Sequence, residues 1–214
     1  MTNDSLHDAA PTATVYIVDD DDAISEGLCN LLESVGLPAE RFASAEEFSA
    51  RWRPESPGCL MLDARLPGMT GVEFQEQLRR LDVTIPIIFM TAHGDVPMVR
   101  KVMKAGAVEF LTKPFEKEEM LAAIRHAFEL DRLRRNERRE LDSIRARIDS
   151  LTPREREVMD LVTAGLLNKQ IAAELNLSEI TVKLHRRHVL EKMQAESLAD
   201  LVRTAERFRA GTSN

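Results

Sequence analysis

The chain has 214 residues, 43% hydrophobic and 30% charged, with 29 basic and 36 acidic side chains and a net charge of −7. That balance excludes a disordered polymer and fits one or two folded domains at roughly 100–200 residues each. It excludes nucleic-acid binding by bulk charge, though not by a local basic patch.

The polar, acidic stretch 1–13 has no apolar core, so it reads as a disordered tail and not as a secretion signal. No stretch reaches the roughly 20 apolar residues of a membrane span, and a cytoplasmic protein is expected. The two cysteines, Cys29 and Cys59, lie in apolar segments, which suits buried free thiols better than a disulfide framework. Charge is uneven along the chain. Residues 1–130 carry a net −10, residues 131–150 a net +2 and residues 151–214 a net +1, which suggests two domains with different partners.

In chain order, Val15-Tyr16-Ile17-Val18 is a β-rich run that ends in Asp19, Asp20, Asp21 and Asp22. Ile24, Leu28, Leu31, Leu32 and Val35 then fall on one helical face, with Gly36 as the stop. A weaker strand covers Ala39 to Phe42. Cys59 to Leu62 is the next apolar run, ending at Asp63, and Phe74, Leu78 and Leu81 make a helical face after Gly71. Ile85 to Met90 ends at Thr91; Met98, Val102 and Met103 are helical before Gly106; Val108 to Leu111 follows. Near-continuous apolar runs fit strands buried on both faces of a parallel sheet. Strand and helix alternate five times, so residues 14–130 are expected to form an α/β domain with a doubly wound five-stranded parallel sheet, flavodoxin-like.

From Glu118 to Thr152 the pattern is helical without Pro or Gly, and residues 131–150 read as a helical linker whose charged run Arg132 to Arg139 is a solvated face. Residues 151–210 read as a small all-α domain. Thr152 is an N-cap with Pro153 at the first helical position and Glu155 at the third. A short helix over Asn168 to Leu175, a turn at Asn176-Leu177-Ser178 and a basic helix from Ser178 to Met193 have helix–turn–helix spacing, and Ser197 to Phe208 is the last helix. Ala172 is small where two helices cross. Val182, Val189 and Met193 face the core, and the opposite face carries Lys183, Leu184 and Arg187. Arg187 suits guanine edges, Lys183 bases or phosphates, and Leu184 a thymine methyl. Thr181, His185, Lys169 and Lys192 are candidates for gripping phosphates. Glu191 is an unfavourable charge there.

The first domain places Asp19, Asp20 and Asp63 at the carboxyl ends of strands, where open α/β sheets bind ligands. Three clustered carboxylates repel one another, and a hard divalent cation such as Mg²⁺ relieves that repulsion. Thr91 and Lys113 end or follow neighbouring strands. Singly, each of these is as well explained as a cap or a surface residue. Together they suit phosphoryl transfer, with Asp63, alone on the central strand, as the nucleophile candidate.

Val15 to Asp21, Leu62-Asp63-Ala64-Arg65-Leu66-Pro67-Gly68-Met69-Thr70-Gly71, Met90 to Asp95 and Lys113-Pro114-Phe115 resemble the receiver domain of two-component response regulators. The resemblance implies that Asp63 is the phosphoacceptor for a sensor histidine kinase. It implies Mg²⁺ bound by Asp20, Asp63 and the backbone carbonyl of Arg65, with Asp19 acting through water. Thr91 and Lys113 would hold the phosphoryl oxygens, Phe110 would be an aromatic switch, and the Lys113–Pro114 peptide would be cis. Leu66 stands where the family more often has Met.

Leu151 to Glu155, Asn168 to Ala172 and Thr181 to His185 resemble the LuxR-type helix–turn–helix, and with His93 to Met98 the chain is similar to the FixJ branch of the FixJ/NarL family. This implies a transcription factor and not an enzyme. It would form a homodimer on phosphorylation through the face at about 96–111, bind double-stranded promoter DNA, work with RNA polymerase and activate transcription. Two rivals are a metal-dependent phosphohydrolase with an aspartyl-phosphate intermediate, and a constitutive DNA-binding regulator whose receiver is only a scaffold.

Overall fold

The computed structural model describes residues 13–92 and 96–212. The expected tail therefore lies outside the described residues except for Ala13, and so do His93, Gly94 and Asp95 of the His93 to Met98 run. The chain divides into two units, residues 1–135 and 136–214.

In the first unit, β1 (Thr14–Val18), β2 (Ala39–Phe42), β3 (Gly58–Asp63), β4 (Ile87–Thr91) and β5 (Glu109–Thr112) form one parallel sheet in the order β2-β1-β3-β4-β5. Period-two alternation divides the strand side chains between two cores. Tyr16, Val18, Leu60, Leu62 and Phe89 face α2 (Ala45–Arg51), α3 (Gly71–Arg80) and α4 (Val96–Lys104), where Phe48, Phe74, Leu78 and Val102 are buried. Val15, Ile17, Met61, Ile88 and Met90 face α1 (Asp22–Ser34) and the first turns of α5 (Lys117–Asp149), meeting Leu28, Leu32, Met120 and Ile124. The sheet is thus covered on both sides, as near-continuous apolar strands require. Strand β4 begins two residues later than its apolar run, because Pro86 has no N–H to give a ladder. Its carbonyl instead accepts from Leu60 N–H at 2.9 Å.

Helix starts follow local chemistry. Asp21 caps α1 through hydrogen bonds from Ala23 and Ile24 N–H at 2.9 and 3.1 Å. Thr70 and Glu73 close a capping box at α3.

The expected linker 131–150 is instead divided between the units. Asp131 is buried and accepts from Gly58 N–H at 3.0 Å and Arg135 Nε at 2.6 Å, while Arg135 also donates to the carbonyls of Pro54 and Ser56 at 3.1 and 2.6 Å. Arg134 reaches Thr84 O at 3.0 Å. The run Arg132 to Arg139 is therefore only partly a solvated face. Ile144 and Ile148, at the other end of the same stretch, are core residues of the second unit.

That second unit packs α6 (Pro153–Thr163), α7 (Asn168–Leu175), α8 (Glu179–Met193) and α9 (Leu198–Thr212) around Val158, Val162, Ile171, Val182, Val189 and Leu201. Asn176, left-handed at φ 53°, ends α7, and Ser178 caps α8 two residues later. This is the short turn of a helix–turn–helix.

Candidate functional site

The carboxyl edge of the parallel sheet gathers three acids and a lysine. Asp19 follows β1, Asp63 ends β3, and Lys113 follows β5. Lys113 Nζ lies 2.5 Å from Asp19 Oδ2 and 2.9 Å from Asp63 Oδ2. Asp19 is 1% exposed and Asp20 is exposed, while Asp63 is half-buried. Carboxylate oxygens of Asp19, Asp20 and Asp63 lie within 4.8 Å of one another. One lysine cannot neutralise three carboxylates, so the cluster keeps an excess of negative charge.

Burial pushes the Asp19 carboxyl above its ordinary range, against the hydrogen bonds from Lys113 and Asp21 N–H that pull it down. Burial alone would lower Lys113, but the Asp19 and Asp63 carboxylates outweigh it and hold the ammonium above its usual value. An all-oxygen donor set with residual negative charge fits a hard divalent cation.

Backbone bonds fix the surroundings. Arg65 N–H donates to Asp63 Oδ1 at 3.0 Å and Lys113 N–H to Thr91 O at 2.7 Å. Thr91 is buried at the end of β4, one strand from Asp63. Phe110 is half-buried at the margin of the α2–α4 core. The Lys113–Pro114 peptide is cis. Asp19, Asp20, Asp63 and Lys113 come together at this edge, and Thr91 ends the neighbouring strand.

Gly71 also belongs to the site; in the sequence it stands before a helix and closes the receiver-like stretch Leu62 to Gly71, with no role assigned to it. A Cβ there would lie 2.4 Å from Asp63 O and 3.0 Å from the Phe89 ring. Only glycine lets α3 begin directly behind Asp63. The signal was the Gly itself, but its contact arises only in the fold.

In the second unit, α8 presents Lys183, Leu184 and Arg187 to solvent, with Lys169 exposed on α7. Val182, Val189 and Met193 are buried on the opposite side. Arg187 pairs with Glu191 at 2.8 Å, an exposed contact of the kind worth well under ~1 kcal/mol and easily exchanged.

Three expected phosphate contacts differ in setting. Lys192 is engaged within the domain, donating to Glu155 Oε2 at 2.6 Å and Ser150 O at 3.3 Å, because the buried Glu155 carboxylate must be paired. His185 is half-buried, with Nδ1 shielded and without a hydrogen-bond partner. Thr181 is half-buried and shares a 2.8 Å hydrogen bond with the capping Ser178 hydroxyl. Arg186, not singled out from sequence, binds Asn168 Oδ1 at 2.5 Å and ties α8 to the start of α7.

Comparison with known proteins places two families on these two units. Residues 15–125 match the response regulator receiver domain and residues 149–205 the luxR family of bacterial regulatory proteins. Nodulation protein W of Bradyrhizobium diazoefficiens is 49% identical over 199 residues, covering 93% of this chain and 88% of that protein. Transcriptional regulatory protein FixJ of the same species is 41% identical over 200 residues, covering 94% and 97%. Among solved structures, the response regulator StyR aligns with a TM-score of 0.83 at 49% identity, covering 92% of this chain and 99% of that one. Full-length FixJ from B. japonicum aligns at 0.56 and 40% identity, covering 92% and 98%.

Proposed function

The chain belongs to the two-component response regulators that join a receiver to a LuxR-type DNA-binding domain, and on that premise we propose that phosphorylation of Asp63 by a sensor histidine kinase controls its binding to promoter DNA. The observation that carries this reading is Lys113 Nζ held between Asp19 and Asp63 at the carboxyl edge of the sheet.

In the reaction an Asp63 carboxylate oxygen attacks the phosphorus of a kinase phosphohistidine. The P–O bond forms as the P–N bond breaks, and the imidazole leaves. Lys113 is already within hydrogen-bond reach of Asp63 and pairs with the incoming phosphoryl oxygens. The Thr91 hydroxyl contacts the same group. Asp19, Asp20, Asp63 and the Arg65 carbonyl would hold Mg²⁺, which supplies neutralisation of charge on the phosphoryl oxygens. Phe110 packs inward as Thr91 engages the phosphoryl group, and the surface at about 96–111 is remodelled. Two chains then pair through that surface. A dimer reads a two-fold site, which offsets the weak affinity of one small domain. Lys169, Lys183, Leu184 and Arg187 face the DNA, with Thr181 and His185 at the edge of that face. The complex acts with RNA polymerase in the cytoplasm and activates transcription.

The family is one of regulators and not of enzymes. A phosphohydrolase would turn over a generic phosphomonoester, and this chain is expected not to. The decisive measurement is intact mass after incubation with acetyl phosphate and Mg²⁺, followed by DNA affinity. Wild type gains one phosphoryl group and binds promoter DNA more tightly; Asp63→Asn does neither. If Asp63→Asn binds DNA as wild type does, with and without phosphodonor, the receiver is only a scaffold and the proposal fails.

A further inference from the structure

The most exposed large hydrophobic side chain among the described residues is on the basic helix. Ile180, in the first turn of α8, is 80% exposed, and Leu184, one turn later, is 51% exposed. With Lys183 and Arg187, also exposed, they occupy positions i, i+3, i+4 and i+7 and make one continuous stripe. The opposite side of the same helix is the buried row Val182, Val189 and Met193. Leaving Ile and Leu in water forgoes the stabilisation of burying them, and here the apolar pair alternates with two cations along one exposed stripe, as on a surface that meets a partner. The flanking charges choose the occupant. Lys183 and Arg187, the latter through exchange of its exposed Glu191 partner, favour a polyanion over an apolar protein face, and a double-stranded DNA major groove offers methyl groups between phosphate rails. In helix–turn–helix proteins the N-terminal residues of the second helix are the ones that approach base edges. Glu179 lies off the stripe, about a quarter-turn away.

We propose that Ile180 is a specificity-determining residue that packs on the C5-methyl of a thymine in the major groove, extending the apolar contact of Leu184 by one helical turn toward the α8 N-terminus. This assignment rests on the DNA-binding reading of α8. It adds to that reading a reader of methyl groups at a position that carries neither charge nor a hydrogen-bonding side chain.

The test uses the full chain, treated with acetyl phosphate, and a duplex enriched by it from a pool randomised over roughly 20 base pairs, two helical turns. Each thymine is replaced singly by deoxyuridine, which removes only the methyl. At one position per half-site, loss of the methyl weakens wild-type binding about fourfold, the worth of one buried methyl-sized group. Ile180→Ala weakens binding to the thymine duplex by a similar factor and becomes indifferent to the methyl at that position alone. Its salt dependence stays that of wild type, because no phosphate contact is lost. Ile180 is exposed, so the substitution leaves the fold intact, and an unchanged melting temperature verifies this.

The assignment is overturned by a wild type indifferent to every thymine methyl, by an enriched duplex without thymine, or by an Ile180→Ala protein as sensitive to each methyl as wild type. If that protein also sediments differently from wild type, the surface belongs to a second copy of the chain. Failure to enrich any duplex overturns the DNA reading itself and this assignment with it, whereas the other outcomes leave that reading standing.

Discussion

At the scale of the residue, two side-chain positions decide whether the acidic edge can work. Lys113 is the shared partner of Asp19 and Asp63, and Asp19 is almost wholly buried. Removing one member of such a set leaves uncompensated charge, and with Lys113 and Asp63 partly exposed we expect Lys113→Met to cost about 2–3 kcal/mol, below the range for fully buried pairs. Chemical denaturation in Mg²⁺-free buffer measures this. Phosphoryl uptake by the same variant falls by about a hundredfold or more, as when one preorganised donor is lost from a reacting anion. Gly71 is the second position. A Cβ placed 2.4 Å from a backbone oxygen forces α3 away from Asp63. Gly71→Ala is predicted to lose about 1–3 kcal/mol by overpacking and to slow phosphorylation, whereas Gly27→Ala, inside α1 where a Cβ meets nothing within 4 Å, should gain about 0.5–1 kcal/mol and leave phosphorylation unchanged.

At the scale of the element, the junction of α6 and α8 makes a pH prediction with a definite sign. Glu155 is part of the capping box with Thr152 and is also held by Lys192 from α8, with His188 Nδ1 at 3.6 Å. The Lys192 hydrogen bond, followed by those from Thr152, drives its carboxyl from an ordinary 4.5 down to about 2. A carboxyl depressed on folding contributes stability that is complete above the unfolded value and disappears as pH falls through the folded one. The second unit should therefore lose stability between about pH 4.5 and 2. Glu155→Gln should be less stable at neutral pH and flatter across that window, and circular-dichroism melts of residues 136–214 at stepped pH measure both. A steep acid loss retained in Glu155→Gln would assign the effect to other carboxylates. The same junction explains why Lys192 is engaged inside the domain. A buried acid at the start of one helix needs a cation, and the last turn of α8 supplies it.

At the scale of the whole molecule, the division of α5 matters most. Asp131 and Arg135 bind the Gly58 N–H and the Pro54 and Ser56 carbonyls, so the first unit includes residues that the charge pattern assigned to a linker. A fragment ending at residue 130 should melt at least about 5 °C below one ending at 135, since each kcal/mol shifts a domain of this size by several degrees. Equal melting temperatures would show the clamp to be dispensable. Much of the molecule was legible beforehand, for physical reasons. Apolar runs of strand length, acids at their ends and Thr152-Pro153-Arg154-Glu155 each express a local rule, so the five strands, the helix starts, the acidic edge and the helix–turn–helix could all be read from residues in order. What stayed hidden depended on partners distant in the chain. Lys192 meets Glu155 across 37 positions and Arg135 meets Pro54 across 81. The sequence by itself determined which residues are apolar, charged or conformationally free, and hence the elements and the chemistry available. Only the tertiary structure decided which charges are neutralised inside the fold and which remain for phosphate or DNA, because burial and pairing are properties of packed neighbours and not of residue type.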